Sequence, residues 1–377
     1  MLKGSMRVCL DCTPFLGKSA GIKSYLYYLY SSMRECAGSR KLSAYPFLQN
    51  PGVLRHDQST LNRFSTLCRA VVVGSARFSW CPLLELAAGK ADVFHASNLI
   101  VRGPRRAVLT TTVHDLTTWL MPELHMARTV ATDRIFFASV VDKAKRIIAD
   151  SENTKKDLIR LRGIAESRIE VIYPGIDEAF FLGDPADGAA RRERYGLKKP
   201  YLLSVGTLEP RKNIGRLLDA YSGLKPSLRV EHDLILVGME GWLSPREMNQ
   251  LRGGMAGVRW LDYVPREDLL AIIGGATLCV YASLYEGFGL PCLEAMACGT
   301  PVVAAASGAL PETVGAAGLL VDAQDGDAFA SALVDVACDE QTAQRLAEAG
   351  GRRAAAFTWS RTAALTDAAI GELLARD

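Results

Sequence analysis

The stretch TLCVYASLYEGFGLPCLEAMACGTPVVAA, residues 277–305, holds the pattern that decides the fold. The apolar run Leu278–Tyr281 leads into a glycine-rich turn, a helical pattern follows, and a second apolar run begins at Val302. Short apolar runs that alternate with helices are typical of parallel sheets covered by helices on both faces. We therefore predict an α/β fold whose chemistry lies in the loops that follow the strands.

The same alternation continues from this stretch toward both ends of the chain. In the first half, the pattern predicts strands at Val8–Leu10, Tyr45–Leu48, Val93–His95, Val108–Val113, Ile147–Ala149 and Ile169–Ile172. In the second half, it predicts strands at Tyr201–Val205, Leu234–Val237, Val258–Trp260, Leu278–Tyr281, Val302–Ala304 and Leu319–Val321. The helices predicted between them include Ile22–Met33, Ala127–Asp142 and one that starts at the capping box Ser244-Pro245-Arg246-Glu247.

A chain of 377 residues is too long for one ordinary core and predicts two Rossmann-like domains. The segment Tyr173–Asp177 and the polar stretch after it interrupt the alternation. We expect an N-terminal domain over 1–180, a linker over 181–199, a C-terminal domain over 200–357 and a last helix, 358–377, that packs back on the N-terminal domain. The two sheets are expected to face each other across a cleft in which ligands bind.

Composition and charge narrow the class of protein further. With 49% hydrophobic and 23% charged residues, the chain is neither disordered nor fibrous. It has no run of about 20 apolar residues, and its opening residues lack an apolar signal region, so a cytoplasmic location is expected, with Met6 as the natural start. Cys9 and Cys12 form the only C-x-x-C and, without a second pair, are interpreted as small core residues.

The charge is distributed unevenly between the two halves. Residues 1–180 carry 25 Lys and Arg against 16 Asp and Glu, whereas the remainder is acidic. A basic N-terminal half suits an anionic membrane surface or a phosphorylated lipid acceptor, and a solvated basic face is the alternative. Nucleic acid is disfavoured because no aromatic motif is interleaved with the basic residues.

The first chemical motif is Glu286-Gly287-Phe288-Gly289-Leu290-Pro291-Cys292-Leu293-Glu294. Pro291 is a natural first helical residue, which puts Leu290, with no capping oxygen, at the cap and Glu294 in the first turn. The first helical N–H groups are then left for a ligand, and a diphosphate suits them. Glu286 is predicted to accept hydrogen bonds from sugar hydroxyls and Glu294 to hold a ribose diol; alternatively, Glu294 only complements the helix dipole and Glu286 is solvated.

The second motif, Ser204-Val205-Gly206-Thr207-Leu208-Glu209-Pro210-Arg211-Lys212-Asn213, is again a strand, a turn and a helix start. Asn213 is the predicted helix cap. Adjacent Arg211 and Lys212 would neutralise a pyrophosphate and stabilise the charge that it gains as a sugar departs. The alternative is an exposed basic pair beside Glu209.

These two motifs, with the helix-to-strand passage Ala295–Val303, give the chain a resemblance to glycosyltransferase family 4, retaining enzymes of the GT-B fold. The resemblance implies that Glu286 contacts the donor sugar, Glu294 the ribose, and the main chain near Val264 the base. It also implies that Lys212 and a nearby arginine bind the diphosphate, with Gly206, Thr207, Gly287, Phe288, Gly289 and Leu290 forming the donor-binding turns. Many members carry that arginine where this chain has Thr207, so Arg211 is expected to supply the charge instead.

The N-terminal half supplies two further candidates. The segment Gly17-Lys18-Ser19-Ala20-Gly21-Ile22 resembles the glycine loop that in this family lies against donor phosphate and acceptor, with Gly17, Gly21 and Ile22 as its contacts. An ordinary strand-to-helix turn is the alternative. His114 follows a predicted strand, and the resemblance implies that it touches the donor sugar, although a histidine beside Asp115 could equally be structural.

The resemblance implies transfer of a hexose with retention, in which the nucleoside diphosphate leaves and the acceptor hydroxyl enters on the same face. No cofactor and no metal are expected, because Arg211, Lys212 and helix N–H groups can carry the charge. Bacterial mannosyltransferases of surface polysaccharide synthesis are the most similar members, so GDP-mannose is the first expectation for the donor and a saccharide or polyprenyl-linked saccharide for the acceptor. A UDP-sugar transferase, a sugar-nucleotide epimerase or phosphorylase, and a noncatalytic sugar-nucleotide-binding partner stay open; a dehydrogenase is disfavoured because no G-x-G-x-x-G is present.

Overall fold

A computed structural model describes residues 6–16, 21–36, 40–47, 63–76, 78, 80–183, 186–243 and 245–375. Gly17 of the predicted glycine loop, Leu48 and Ser244 lie outside these described residues. The chain divides into two compact units. The first comprises Met1–Gly175 and Trp359–Asp377, and the second comprises Ile176–Thr358.

The first unit is built around a parallel sheet with six strands among the described residues. They are β1 (Arg7–Asp11), β2 (Lys41–Tyr45), β3 (Val93–Ala96), β4 (Val108–Val113), β5 (Arg146–Ala149) and β6 (Ile169–Val171), in the spatial order β2-β1-β3-β4-β5-β6. Its helices are α1 (Gly21–Cys36), α2 (Arg63–Ser75), α3 (Leu83–Ala88), α4 (Thr117–Leu120), α5 (Ala127–Ser139), α6 (Glu152–Arg162) and α16 (Trp359–Ala375). Because all strands run in the same direction, Asp11, Ser97, His114 and Asp150 follow or end strands at one edge of the sheet.

The last helix, α16, belongs to the first unit and packs on α1. Trp359 stacks on Tyr28 with ring centroids 5.4 Å apart and meets Tyr25 edge-on at 5.5 Å. Arg40 forms an ion pair with Asp367 on the same helix. The final segment therefore completes the apolar core on the α1 face of the sheet, where Trp359, Ala363 and Ile370 are buried.

The second unit repeats the architecture with another parallel sheet of six strands within the described part of the chain. These are β7 (Tyr201–Val205), β8 (Asp233–Val237), β9 (Val258–Leu261), β10 (Leu278–Tyr281), β11 (Val302–Ala305) and β12 (Leu319–Val321), ordered β12-β11-β10-β7-β8-β9. The helices are α7 (Gly188–Arg194), α8 (Ile214–Gly223), α9 (Pro226–Glu231), α10 (Pro245–Arg252), α11 (Arg266–Gly274), α12 (Leu290–Ala297), α13 (Leu310–Val314), α14 (Gly326–Cys338) and α15 (Glu340–Ala354). The strand order reverses between β7 and β10, and in such sheets ligands bind outside the carboxyl ends of the strands at this point.

The predicted α/β class, with two Rossmann-like parallel sheets, is confirmed. One strand prediction is wrong: β2 covers Lys41–Tyr45, not Tyr45–Leu48. Among the described residues this strand pairs with β1 alone. Lys41 and Ser43 are exposed, so Lys41-Leu42-Ser43 shows no apolar run. Pro46 has no N–H to continue the ladder, which explains why the strand ends at Tyr45.

The stretch 181–199 contains α7, which packs on α11 in the second unit. Asp268 of α11 accepts hydrogen bonds from Arg191 (3.1 Å), Arg194 (2.8 Å) and the Tyr195 hydroxyl (2.7 Å). The polar composition of residues 181–199 suggested a linker. Three of its polar side chains instead bind the buried carboxylate of Asp268. Glu247 accepts a hydrogen bond from the Gly215 N–H at 3.2 Å. The capping box that it would complete stays a prediction, because Ser244 lies outside the described residues.

Candidate functional site

A buried carboxylate, Glu286, joins the loops that follow β7 and β10. Its Oε1 accepts a hydrogen bond from Lys212 Nζ at 2.6 Å and its Oε2 one from Arg211 at 2.8 Å. The Ser283 hydroxyl also donates to Oε1, at 2.6 Å. The structure therefore brings Glu286 of the first motif together with Arg211 and Lys212 of the second.

The charge state of Glu286 follows from these contacts. Burial alone would raise its pKa, but the opposite charges of Arg211 and Lys212 and the hydrogen bonds from Lys212 and Ser283 hold the pKa well below its ordinary value. Arg211 also binds Glu209, at 2.5 Å. Glu286 thus stays ionised at any physiological pH and is a permanent acceptor of hydrogen bonds.

The local sequence explains how the two cations reach Glu286. Pro210–Lys212 forms a short 3₁₀ turn, and the Arg211 carbonyl accepts a hydrogen bond from the Leu284 N–H at 2.8 Å. Asn213 adopts a left-handed conformation, with φ 56°, directly before α8. Asn213 thus occupies the predicted cap position of α8, but its side chain makes no capping hydrogen bond. Its amide donates instead to the carbonyls of Ala282 and Ala323 and ties the turn to the neighbouring loops.

Gly206 provides the space in which Lys212 lies. Its φ of 154° is accessible mainly to glycine, and a Cβ there would lie 3.2 Å from Cε of Lys212. Thr207, the position that holds an arginine in many similar chains, is half-buried in the same turn. The aliphatic part of the Lys212 side chain therefore covers Gly206, which directly follows β7.

Gly308, on the loop after β11, was not identified from the sequence. Its φ is 54°, and a Cβ there would lie 2.5 Å from the Glu286 carbonyl oxygen. The next residue, Ala309, donates its N–H to that same carbonyl at 2.9 Å, and Ser307 binds the Ser283 carbonyl at 2.6 Å. A single Ser-Gly-Ala segment thus fixes the backbone of Glu286; the only sequence signal is a glycine just after a strand.

The start of α12 differs by one residue from the prediction. The helix begins at Leu290, so Gly289, with φ 93°, occupies the cap position, and Glu294 falls in the second turn. No described side chain caps this helix, and its first turn carries no acidic residue, so its first N–H groups have no capping side chain. Gly287 and Phe288 are buried in the preceding turn, where Phe288 meets Phe357 edge-on at 5.7 Å and its carbonyl accepts from Thr313.

Glu294 lies in a second cluster of charges. Burial raises its pKa to about 7; Arg266 opposes this rise and Asp177 adds to it. Arg266 forms an ion pair with Asp177 and lies 4.9 Å from the Phe180 ring centroid. Val264, predicted to lie near the base, is buried in the loop that leads to Arg266. Neither Asp177, the last residue of the segment Tyr173–Asp177, nor Arg266, two residues after Val264, was predicted to belong to the site.

Within the first unit, His114 and Asp150 follow the adjacent strands β4 and β5. Nδ1 of His114 lies 2.6 Å from Oδ2 of Asp150, and the Tyr25 ring meets the imidazole edge-on at 4.8 Å. Gly21 is exposed at the start of α1, and Ile22 packs against the core of this unit. Gly17, the third predicted contact of this loop, lies outside the described residues.

Asp11, at the end of β1, is a further buried carboxylate that the sequence did not reveal. It accepts hydrogen bonds from the N–H and hydroxyl of Thr13 and from those of Ser97. Because all four donors come from loops at the edge of the sheet, Asp11 fixes the loops after β1 and β3. An acidic residue that ends an apolar strand is the signal that could have indicated it.

The described residues contain no group of three or more His, Cys, Asp or Glu side chains arranged to hold a metal ion. Cys9 and Cys12 are buried. One Asp-x-Asp occurs, at Asp325 and Asp327, and Asp325 serves as the cap of α14 by accepting from the Ala328 N–H at 2.9 Å. In the part of the chain that the structure describes, no helix has the length and apolar character needed to cross a bilayer.

Comparison with known proteins identifies two sequence families. Residues 189–353 match the family described as "Glycosyl transferases group 1", and residues 51–180 match "Glycosyltransferase Family 4". The O-antigen chain mannosyltransferase B of Escherichia coli is 36% identical over 275 residues, which cover 72% of this chain and 71% of that protein. A D-inositol 3-phosphate glycosyltransferase of Kribbella flavida is 34% identical over 61% of this chain and 57% of its own.

Among solved structures, the sucrose-phosphate synthase of Thermosynechococcus elongatus superposes with a TM-score of 0.72. The match covers 99% of this chain and 100% of that one at 22% sequence identity. At this identity the likeness establishes the fold, which is GT-B, and leaves substrates open.

We expect Gly308→Ala to weaken sugar transfer although it removes no functional group. The added methyl would push against the Glu286 backbone, shift the carboxylate and lower kcat/KM by roughly tenfold or more, since misplacement by about 1 Å costs up to about 10²-fold. Gly299→Ala is the matched control: Gly299 also has positive φ, 76°, but nothing lies within 4 Å of its Cβ position. Steady-state kinetics on both variants, with thermal unfolding, would test this, and equal kinetics would contradict it.

Proposed function

Since the chain belongs to glycosyltransferase family 4, we propose that it is a retaining hexosyltransferase that moves mannose from GDP-mannose onto a saccharide or lipid-linked saccharide. The observation that carries the proposal is the Lys212–Glu286–Arg211 cluster at the carboxyl ends of β7 and β10. It places two cations and a permanently ionised carboxylate at the point where the strand order reverses.

Lys212 is the residue best suited to the donor diphosphate. An ammonium group has three N–H donors, and Glu286 accepts from one of them, so phosphate oxygens can take the others. The positive end of α12, which no described side chain caps, adds a second attraction for the same anion. Arg211 is shared between Glu209 and Glu286, so its contribution is to hold Glu286 and to supply positive charge behind it.

Glu286 would bind the hexose through its hydroxyl groups. A carboxylate with a lowered pKa stays ionised, so it accepts hydrogen bonds and donates none. The hydroxyl groups of a sugar can donate to it. Glu294 would hold the ribose diol, and the main chain near Val264 the base. His114 would touch the donor sugar, and the segment that contains Gly21 and Ile22 would lie near phosphate and acceptor.

The reaction needs no protein nucleophile under this proposal. The bond between the hexose and the diphosphate breaks, an oxocarbenium-like state forms, and the acceptor hydroxyl attacks on the same face. A phosphate oxygen of the leaving group takes the acceptor's proton, and Lys212 and Arg211 stabilise the charge left on the diphosphate. The proposal requires no cofactor and no metal ion.

The identity of the sugar donor is the part of the proposal that depends most on the similar proteins. Mannose and GDP are favoured because the E. coli relative is a mannosyltransferase of O-antigen chains, whereas the inositol phosphate glycosyltransferase keeps other donors and acceptors open. A UDP-sugar transferase would keep the same cluster. An epimerase or phosphorylase would form product without a separate acceptor or would need inorganic phosphate, and a noncatalytic partner would bind donor without transfer.

We further propose that a patch on the first unit contacts an anionic membrane, where a lipid-linked acceptor would reside. Apolar side chains are exposed on α2, α3 and the segment between them, including Trp80 (79% exposed) and Leu86 (69%). The Arg105 N–H binds Glu85 of α3, which brings the segment with the exposed residues Arg105 and Arg106 close to this helix. Exposed aromatic and aliphatic side chains next to cations suit the headgroup region of anionic lipids.

Replacing Lys212 by alanine should lower turnover by roughly 10²-fold or more, the loss expected for one preorganised charge donor. Lys225→Ala, at an exposed lysine in the same unit, is the control and should leave turnover unchanged. Glu286→Gln should impair transfer by removing the charge while keeping the shape. Near-normal turnover of Lys212→Ala would refute the diphosphate role.

A thermal-shift screen of GDP-mannose against UDP- and ADP-sugars, with and without excess chelator, tests the donor and the metal-free mechanism together. We expect stabilisation by GDP-mannose, and transfer of labelled mannose that persists in chelator. Stabilisation by a UDP-sugar alone would replace the donor, and loss of transfer in chelator would remove the metal-free mechanism.

Binding to vesicles tests the membrane patch. We expect Trp80→Ser with Leu86→Ser to reduce sedimentation with vesicles of phosphatidylglycerol and phosphatidylcholine by roughly tenfold or more, because each buried apolar side chain contributes about 1.5–3 kcal/mol. Leu182→Ser, at a side chain 84% exposed in the second unit, should bind as the unmodified protein does. Equal sedimentation of all three proteins would exclude the patch.

A further inference from the structure

His114 and Asp150 occupy equivalent places on neighbouring strands. β4 and β5 pair with Val113 opposite Ala149, so the residue after each strand emerges at the same edge of the sheet. There Nδ1 of His114 and Oδ2 of Asp150 approach to 2.6 Å, the length of a strong, charge-assisted hydrogen bond. Nδ1 is therefore the protonated nitrogen that donates to the carboxylate.

The imidazole is fixed on its other sides as well. The Tyr25 ring packs edge-on against it, and the Tyr25 hydroxyl lies 3.2 Å from Oγ1 of Thr112, which fixes that ring. The Thr154 hydroxyl donates to the His114 carbonyl at 3.2 Å, which ties the backbone to α6. The His114 side chain keeps 24% exposure, and its Nε2 is the ring atom left to meet a ligand.

The buried Asp150 carboxylate destabilises the folded state, and a purely structural role does not explain its presence. The residue is 4% exposed, and its Oδ1 has no hydrogen-bond partner among the described residues. Buried polar atoms are nearly always paired, and an unpaired carboxylate oxygen destabilises the folded state. By contrast, the buried Asp11 in the same unit accepts four hydrogen bonds.

We propose that Asp150 is a positioning residue: it fixes the orientation of His114 and favours the protonated ring, whose Nε2–H donates a hydrogen bond to an oxygen of the substrate. This inference rests on the proposed function, because it assigns His114 a sugar or phosphate oxygen as partner. It also identifies the chemistry of that partner, since a site with a fixed donor selects an acceptor.

The charges around His114 support a protonated ring. Burial alone would lower its pKa, but the Asp150 carboxylate raises it above the ordinary value, and Asp115 adds to this rise. His95, on β3, is the other imidazole nearby; burial, then the charge of His114, lowers its pKa to about 4, and its two nitrogens bind Thr110 and Thr112. The Tyr25 phenol stays neutral because burial raises its pKa.

The raised pKa of His114 determines the direction in which transfer changes with pH. A His114 whose pKa is raised stays charged to a higher pH than an ordinary histidine, so transfer that needs Nε2–H beside a charged ring is present below that pKa and falls above it. In Asp150→Asn the carboxylate that raises the pKa of His114 is gone, so burial, which lowers this pKa, becomes the larger effect. The same fall should then occur at lower pH, by roughly one unit or more, which corresponds to about tenfold in the charged fraction.

The test uses the full-length protein labelled with ¹⁵N-histidine, titrated by NMR and assayed for kcat/KM against pH. His114→Gln assigns the resonance. We expect Asp150→Asn to lower both the His114 pKa and the pH of the alkaline fall in kcat/KM, and Asp150→Asn with His114→Gln to transfer no more slowly than His114→Gln alone. Asp157→Asn is the control, because Asp157 is equally buried on α6 and pairs with Arg160.

Two outcomes would overturn the inference. In the first, the His114 resonance titrates at the same pH in Asp150→Asn as in the unmodified protein. In the second, kcat/KM falls uniformly with an unchanged pH profile, which is the result that a purely structural carboxylate would give. Absence of any transfer by the unmodified protein would contradict the proposed function instead, and the NMR titration would still decide the role of Asp150.

Discussion

The second unit depends on one buried ionic contact, in which the Glu286 carboxylate is held by Lys212 and Arg211. Neither cation nor anion would be stable alone in this position, because an unpaired buried charge costs several kcal/mol. Together they join the loops after β7 and β10, and the same three groups form the chemistry of the site. Under the proposed function, the contact that stabilises these loops is also the one that a sugar nucleotide would engage.

Glycine determines how closely the loops can approach. Gly238 comes so near the Gly206 carbonyl that a Cβ would lie 2.0 Å from it, and Gly308 approaches the Glu286 backbone in the same way. These contacts bring the loops after β7, β8, β10 and β11 together at one edge of the sheet. In the first unit, hydrogen bonds to Asp11 and the His114–Asp150 pair hold the corresponding edge. Both units therefore use buried carboxylates to order these loops, and the second adds close backbone packing at its glycines.

Most strands were predictable because strands buried on both faces require continuous apolar runs, as at Leu278–Tyr281. The prediction was wrong at β2, where one edge is unpaired and exposed polar residues replace the apolar run. The cap position of Asn213 was predictable, but the partner of its side chain was not, because an asparagine before a helix can cap it or bind elsewhere. Only the neighbouring carbonyls of Ala282 and Ala323 decide between these. Ser283, Gly308 and Asp150 were missed since none belongs to a spaced motif, and the partners of Gly308 and Asp150 lie in other loops.

The sequence by itself determined the α/β class, the strand order along the chain and the residue types of the donor motifs, because periodicity and local turn chemistry are properties of short segments. The last helix, α16, was predicted to pack on the N-terminal domain and does so. Only the tertiary structure decided that Lys212 and Arg211 bind Glu286 and that His114 pairs with Asp150. Each of these contacts joins residues far apart in the chain. Their energies depend on burial and distance, which a linear pattern of residues does not contain.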